Sequence, residues 1–136
     1  MSAVLMDAAI VSRAQYILGQ APATPKPRFK LFVNNHTPAC DDSPGMYTEC
    51  TLAGYASLLL NPASWSCSLS SCVETCTYPT ITETFTAGGQ TIYGHFVIDD
   101  LTGNLLWAEL WPTPFAVPSG GGSIQIVLQW VDQQCP

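Results

Sequence analysis

The stretch TIYGHFVIDDLTGNLLWAELWP, residues 91–112, decides the fold class of this chain. Its first part, residues 91–98, is rich in β-branched and aromatic residues, which favour an extended strand. The central DDLTGN, residues 99–104, combines acidic residues with glycine and asparagine, a composition typical of a hairpin turn. A second apolar run, residues 105–112, follows at once. The stretch therefore predicts two antiparallel strands joined by a short turn.

Alternating runs extend this prediction to the rest of the chain. Apolar residues recur at every second position over residues 28–33, 64–69 and 124–130, as in strands with one buried face. Turn-forming residues separate the runs, for example Gly88–Gly89 and residues 41–45. No helical pattern lies between the strands, which excludes a parallel sheet with crossover helices. The sequence predicts a mainly β body of seven or eight antiparallel strands, arranged as a β-sandwich, a jelly roll or a barrel.

The first 27 residues form a separate segment in this prediction. Three apolar residues are spaced four and seven apart, as on one face of a helix, and predict a short N-terminal helix. These residues are Met6, Ile10 and Ile17. Three prolines then favour an extended arm. We therefore divide the chain into a helix with a proline-rich arm, residues 1–27, and a β-sandwich body, residues 28–136.

Charge is distributed unevenly along the chain. Ten acidic and four basic residues give a formal net charge of −6, and no lysine or arginine follows position 30. An acidic body repels a phosphate backbone, so no nucleic-acid partner is expected. Phosphate-binding loops that need a lysine are excluded from the body for the same reason. The predicted binding cations are Arg13, Lys26, Arg28 and Lys30.

The low proportion of charged residues, 10%, indicates a surface that another molecule covers. Soluble domains usually have about 25% charged residues. A membrane is not the expected cover, since no apolar run reaches the roughly 18 residues of a spanning helix. A secretory signal is not expected either, because the first residues lack a basic start.

Six cysteines in 136 residues predict disulfides. Cys67 and Cys72 flank a four-residue loop and are placed to face each other across a hairpin. Cys72 and Cys76 cannot bond each other within one extended strand, and Cys135 is placed to reach a neighbouring molecule. A zinc site is the rival interpretation, but no Cys-x-x-Cys knuckle occurs, and Cys50 and Cys67 also suit buried positions. The disulfide candidates are Cys40, Cys50, Cys67, Cys72, Cys76 and Cys135.

The histidines and acidic pairs lie outside known catalytic motifs. His95 stands in an apolar run and is expected to pack on a sheet, whereas His36 stands in a turn-forming string. The pairs Asp41–Asp42 and Asp99–Asp100 coincide with turn signals, so we expect solvated turn acids and not a calcium site or a glycosidase pair. We therefore expect no enzymatic activity, no cofactor and no metal.

Four tryptophans offer candidate binding residues. Trp65 and Trp130 lie on the apolar phase of alternating strands and are predicted core residues. Trp107 and Trp111 are the predicted surface pair. Aromatic rings stack on sugars and also anchor protein interfaces, so this pair fits either a carbohydrate-binding module or a contact within a protein shell.

Four groups of short motifs cover most of the chain. They are LFVNN at 31–35 with Thr37–Pro38, GYA at 54–56 followed by ASW at 63–65, QTIYG at 90–94, and LLWAE at 105–109. Their order resembles a family of small virion structural proteins of tailed bacteriophages, which decorate or cement a capsid. The resemblance implies a particle component without catalytic residues. The cysteines depart from the family pattern, which suggests a particle that uses disulfides for added strength.

The first functional hypothesis is a capsid cement or decoration protein on the exterior of a phage particle. It is expected to form a closed trimer and to bind the major capsid protein or other virion proteins, so that the shell resists the pressure of packaged DNA. The cationic arm and the pair Trp107 and Trp111 are its expected anchors. The alternative is a carbohydrate-binding β-sandwich module on a tail or fibre. A third hypothesis, a metal-dependent hydrolase, requires bound metal.

Overall fold

The computed structural model describes residues 3–7, Leu18 and residues 25–133, and the structural statements below concern these residues. They form ten strands and two single-turn 3-10 helices. The strands are β1 (Val4–Leu5), β2 (Pro27–Phe32), β3 (Leu58–Leu59), β4 (Ser66–Ser70), β5 (Val73–Thr77), β6 (Ile81–Phe85), β7 (Thr91–Asp99), β8 (Leu105–Ala116), β9 (Gly122–Ile126) and β10 (Gln129–Gln133). The 3-10 helices span Pro44–Met46 and Pro62–Ser64.

The strands form three antiparallel sheets. A five-stranded sheet has the order β1-β8-β7-β2-β3, a three-stranded sheet has the order β10-β5-β4, and β6 pairs with β9. The predicted mainly β, antiparallel fold is therefore confirmed. The hairpin predicted at residues 99–104 joins β7 to β8, and the backbone N–H of Gly103 donates to the carbonyl of Asp99 at 2.7 Å.

The main core lies against one face of the five-stranded sheet. It joins side chains of that sheet, such as Phe29, Leu31 and Val97, to side chains of the two smaller sheets and their connections, such as Phe85 and Leu128. Phe29, Leu31 and Val97 are fully buried. Two layers that enclose one apolar core agree with the predicted sandwich.

A second, smaller core lies against the opposite face of the same sheet. Side chains alternate between the two faces of a strand, so Phe32 points away from its neighbour Leu31. Phe32 packs with Tyr47, Phe96 and Met6 in this second cluster. The loop that carries Tyr47 and the N-terminal residues thus cover the outer face of the sheet.

The N-terminal residues that the structure describes complete the large sheet. Val4 and Leu5 form β1 and pair with Ala108 and Trp107 on β8. The predicted helix is wrong at these two residues, because pairing with a sheet edge satisfies their backbone groups. Met6 is buried in the second core. Asp7, next along the chain, is helical, and the helix positions after it, including Ile10, Arg13 and Ile17, lie outside the described residues.

Strand β2 starts at Pro27, one residue before the predicted start of the β-sandwich body at residue 28. The backbone N–H of Lys26 already donates to the side chain of Asp99 at 3.0 Å. Within the described residues, no helix has the length and hydropathy that a membrane span requires.

Candidate functional site

An open cavity of about 280 Å³ is lined mainly by tryptophan side chains. Trp107 of β8 lies between Trp65 and Trp130, with ring centroids 6.4 Å and 5.4 Å away. The ring of Trp107 is tilted steeply to both neighbouring rings, with interplanar angles of 69° and 77°. Pro27 and Cys76 complete the wall. We call this cavity the tryptophan cleft.

Local contacts hold Trp65 in the cleft. The 3-10 helix Pro62–Ser64 ends directly before it and is capped by Asn61, whose side-chain oxygen accepts from the backbone N–H of Ala63 at 3.0 Å. The ring of Tyr78 packs edge-on against Trp65 at 5.1 Å, and the Tyr78 hydroxyl accepts from the backbone N–H of Asn61 at 3.0 Å. Trp65 is therefore preorganised by its own loop.

The tryptophan cleft offers apolar ring faces and unpaired donors, with no charge in its lining. In the described part of the chain, the indole N–H groups of Trp65, Trp107 and Trp130 have no hydrogen-bond partner. No side-chain nitrogen or oxygen there is both buried and unpaired, so these N–H groups reach solvent. Such a surface suits a neutral or apolar ligand that carries hydrogen-bond acceptors.

The predicted roles of the tryptophans are partly corrected. Trp65 and Trp130 pack against the main core as expected, but they also line the cleft. Trp107 is only 7% exposed, so its prediction as a surface residue is wrong. It lies on an interior strand, opposite Leu5 and Val97, and this position buries it. No sequence signal separates a core tryptophan from one that also borders a cleft.

Trp111 lies in a different cavity, of about 340 Å³, together with His95, Glu109 and Gln125. Its indole N–H donates to Nδ1 of His95 at 3.2 Å. The structure therefore places Trp107 and Trp111 in separate cavities and does not form one aromatic strip.

His95 packs on the sheet, as predicted, and is only 2% exposed. Burial lowers the pKa of His95 to about 4, so the ring is neutral at physiological pH. The Glu109 carboxylate lies 3.8 Å from Nε2 of His95, and burial raises the pKa of Glu109. Both groups are thus driven toward their neutral forms. In the described residues, the hydrogen bond that His95 forms through Nδ1 is with Trp111, and no hydroxyl or thiol bonds to it.

Two of the predicted binding cations are neutralised inside the body. Arg28 forms two hydrogen bonds to the carboxylate of Asp100, at 2.8 Å and 3.1 Å, and the side chain of Lys30 donates to Glu49 at 2.9 Å. The hydrogen bond to Asp100 raises the pKa of Arg28. These two residues are therefore not free anchors for a partner. The side chain of Lys26 is exposed, and Arg13 lies outside the described residues.

Of the predicted turn acids, Asp41 and Asp100 lie in turns and Asp99 is the last residue of β7, but Asp99 and Asp42 are not solvated. Asp99 is 7% exposed, and its carboxylate accepts from the backbone N–H of Leu101 and from the Thr102 hydroxyl, both at 3.0 Å. It therefore closes the β7–β8 turn. The neighbouring acid, Asp100, forms the ion pair with Arg28 at the surface.

The Asp42 carboxylate accepts three hydrogen bonds. The donors are the Tyr47 hydroxyl at 2.7 Å, Nε2 of His36 at 2.7 Å and the backbone N–H of Ala39 at 3.1 Å. Burial acts to raise the pKa of Asp42, but these hydrogen bonds outweigh burial and lower it. His36 thus lies in the expected turn, where it helps to hold the loop that covers the second core.

A disulfide joins Cys67 of β4 to Cys76 of β5, with 4.0 Å between their Cα atoms. The predicted disulfides are confirmed, but the pairing of Cys67 with Cys72 is wrong. The hairpin turn contains only Ser71 and Cys72, so the strand register places Cys76 opposite Cys67. Cys67 is exposed, which also corrects its expected burial.

The other cysteines have different environments. Cys72 is also disulfide-bonded. Cys40 and Cys50 carry free thiols, so they are not disulfide residues in this structure. Cys50 is buried, as the alternative prediction held, and burial raises the pKa of its thiol. Cys135 lies outside the described residues.

One cluster in the described residues has metal-ligand composition. Sulfur atoms of Cys67 and Cys76 and a carboxylate oxygen of Glu74 lie within 4.8 Å of one another. The two sulfurs are bonded to each other, so they offer no thiolate to a metal ion. The cluster does not make a zinc site while the disulfide is intact.

No protein-family model, curated protein or solved structure matches this chain. The resemblance to structural proteins of tailed bacteriophages therefore stays a prediction.

Proposed function

We propose that this chain is a non-enzymatic structural component of a tailed-phage particle, a cement or decoration protein on the capsid exterior. Its partner is the major capsid protein or another virion protein. The resemblance of its motifs supports the proposal, and the tryptophan cleft supplies a means of attachment.

The cleft is the observation that carries the proposal. Tryptophan is the residue most enriched at the energetic centres of protein interfaces, and such centres are apolar pockets that exclude water. Three indole rings surround a cavity of about 280 Å³, which has room for an inserted apolar or aromatic side chain. The cations Arg28 and Lys30, predicted as anchors, are already paired with acidic residues of the same chain. We therefore assign attachment to the cleft and not to these two charges.

Binding of the full chain to phage heads that lack it tests the proposal. Trp65→Leu removes one wall and one N–H donor of the cleft but keeps an apolar side chain, and Trp111→Leu in the other cavity is the matched control. We expect Trp65→Leu to weaken cosedimentation with heads by about 30-fold, as for a central interface residue. The control should bind as the wild type does. Equal binding by both variants and the wild type would contradict attachment through the cleft.

A carbohydrate-binding module of a tail or fibre is the second candidate, and the same cleft favours it. Indole faces stack on the C–H face of a sugar ring, and the solvent-facing N–H groups can donate to its hydroxyl oxygens. The lining carries no charge, which suits a neutral saccharide.

A glycan array separates the two candidates. Saccharide binding by the wild type that is lost in Trp65→Leu and kept in Trp111→Leu would favour the carbohydrate module. Binding to stripped heads without any saccharide signal would favour the cement protein.

A further inference from the structure

Strand β4 forms one edge of the three-stranded sheet. All five residues of Ser66–Ser70 are exposed, and Leu69 is 75% exposed, so the strand buries almost nothing in the core. It is nevertheless joined covalently to β5 by the disulfide between Cys67 and Cys76. Because the side chains of β4 contribute little to the core, the main effect of the disulfide is to hold the backbone of β4 beside β5.

The edge of β4 lacks the features that keep sheet edges from pairing. Proteins usually protect an edge with a charge, a proline, a bulge or a very short strand. The edge strands β1 and β3 of the large sheet are two residues long, and β10 at the other edge of the small sheet carries Asp132. β4 is five residues long, pairs with β5 without a register shift, and reads Ser-Cys-Ser-Leu-Ser.

The hairpin geometry shows which backbone groups point outward. Ser71 and Cys72 form a two-residue turn with φ of 50° and 66°, as in a type I′ turn, so the closing pair Ser70 and Val73 is hydrogen-bonded. Hydrogen-bonded pairs alternate along an antiparallel ladder. Cys67 and Cys76 are therefore a non-hydrogen-bonded pair, in agreement with their Cα separation of 4.0 Å. It follows that the backbone N–H and C=O groups of Cys67 and Leu69 point toward the open edge, the side of β4 with which no other described strand pairs.

We propose that a second copy of this chain pairs with β4 in antiparallel orientation, about a two-fold axis at Ser68. In this register Cys67 of each copy lies opposite Leu69 of the other, and the four outward groups of each strand form four hydrogen bonds across the axis. Ser68 meets Ser68, and Ser66 meets Ser70. The contact forms a continuous six-stranded sheet from two three-stranded sheets.

The same register also covers the exposed leucine. Residues 67 and 69 share one face of β4, so Leu69 of one copy lies over the disulfide between Cys67 and Cys76 of the other. The disulfide is apolar and gives Leu69 a surface on which to pack. Each copy therefore contributes the leucine that covers the disulfide of its partner.

Charge permits this contact although each copy has a formal net charge of −6. β4 has no charged residue, and the nearest acid on the adjoining strand is Glu74, opposite Leu69. The two copies of β5 are separated by three strand spacings, or about 14 Å. That distance exceeds the Debye length of about 8 Å at physiological salt, so the two Glu74 side chains repel each other weakly.

Sedimentation velocity of the full chain at increasing concentration tests the proposal, which does not depend on the proposed function. The wild type should show a monomer–dimer equilibrium. Leu69→Pro removes the backbone N–H of residue 69, which points outward and makes no hydrogen bond to β5. Leu69→Lys places a charge at the edge. Each should raise the dimer dissociation constant by at least about ten-fold. Val131→Lys, on the opposite edge of the same sheet, is the matched control and should dimerise as the wild type does.

Hydrogen exchange gives a second measurement, and its main signal comes from the wild type. The amides of Cys67 and Leu69 should exchange more slowly as the wild-type concentration rises, but not in Leu69→Lys. A wild type that stays monomeric up to about 1 mM would overturn the proposal. An oligomer, including a trimer, that forms equally well in both Leu69 variants would overturn it too.

Discussion

His95 should make the protein sensitive to mild acid. Its pKa falls from 6.5 to about 4 because the ring is fully buried. Between these two pH values the unfolded chain binds a proton that the folded chain does not bind. The free energy of unfolding should therefore decrease as the pH falls from 6.5 toward 4. The total loss corresponds to about 3 kcal/mol, and about 2.5 kcal/mol of it should already be lost near pH 4.5.

Urea denaturation at about pH 7 and about pH 4.5 measures this loss, with tryptophan fluorescence as the signal. Other groups also titrate in this range, so the comparison is with His95→Gln. Glutamine keeps an acceptor for the indole N–H of Trp111 but takes up no proton. The wild type should lose about 2.5 kcal/mol more than the variant between the two pH values.

Glu109 provides the control for the same experiment, because its carboxylate lies 3.8 Å from Nε2 of His95. If Glu109 stabilised a charged His95, the Glu109→Gln variant would lose more stability between the two pH values than the wild type does. We expect no such increase, because burial keeps Glu109 toward its neutral form. An equal pH dependence in the wild type and in His95→Gln would refute the reasoning, since the histidine would then be charged in the folded protein.

Three further predictions concern stability. Asp42→Asn should lower the free energy of unfolding by about 2 kcal/mol at neutral pH, measured by urea denaturation, because the charged acceptor for Tyr47 is lost. Since the pKa of Asp42 is lowered, this difference should shrink as the pH falls below 3.8. Glu83→Gln should raise the melting temperature at neutral pH, because burial raises the pKa of Glu83, and the gain should vanish below pH 4.5. Replacing Cys67 and Cys76 by serine should cost about 2 to 3 kcal/mol in the same assay, since the disulfide closes a separation of 9 residues. Unchanged stability in any of these variants contradicts the corresponding contact.

The fold class was predictable because strand signals are local. Residues 91–112 form the β7–β8 hairpin, and the turn at residues 99–104 was placed correctly from its acidic residues and glycine. The helix prediction failed at Val4 and Leu5 because an apolar pattern of a few residues does not reveal a sheet edge that is available for pairing. That edge belongs to β8, about a hundred residues later in the chain.

The candidate site was less predictable, because it depends on register and on contacts between distant strands. The hairpin turn consists of Ser71 and Cys72 and not of residues 68–71 as expected, so the partner of Cys67 is Cys76 and not Cys72. The cleft combines Trp65, Trp107 and Trp130 from three separate parts of the chain, and the sequence pattern indicates core positions for Trp65 and Trp130 but a surface position for Trp107. The pairing of Arg28 with Asp100 spans 72 residues and leaves no local signal.

One row of the three-stranded sheet connects the tryptophan cleft to the open edge of β4. Trp130 of β10 lies opposite Cys76 of β5, and Cys76 lies opposite Cys67 of β4. Trp130 and Cys76 line the cleft, while Cys67 presents its backbone to solvent at the edge. The disulfide therefore holds one wall of the cleft and the proposed dimer edge in a common register. Because this sheet is small and β4 buries little, the disulfide replaces packing energy that the strand cannot obtain from the core.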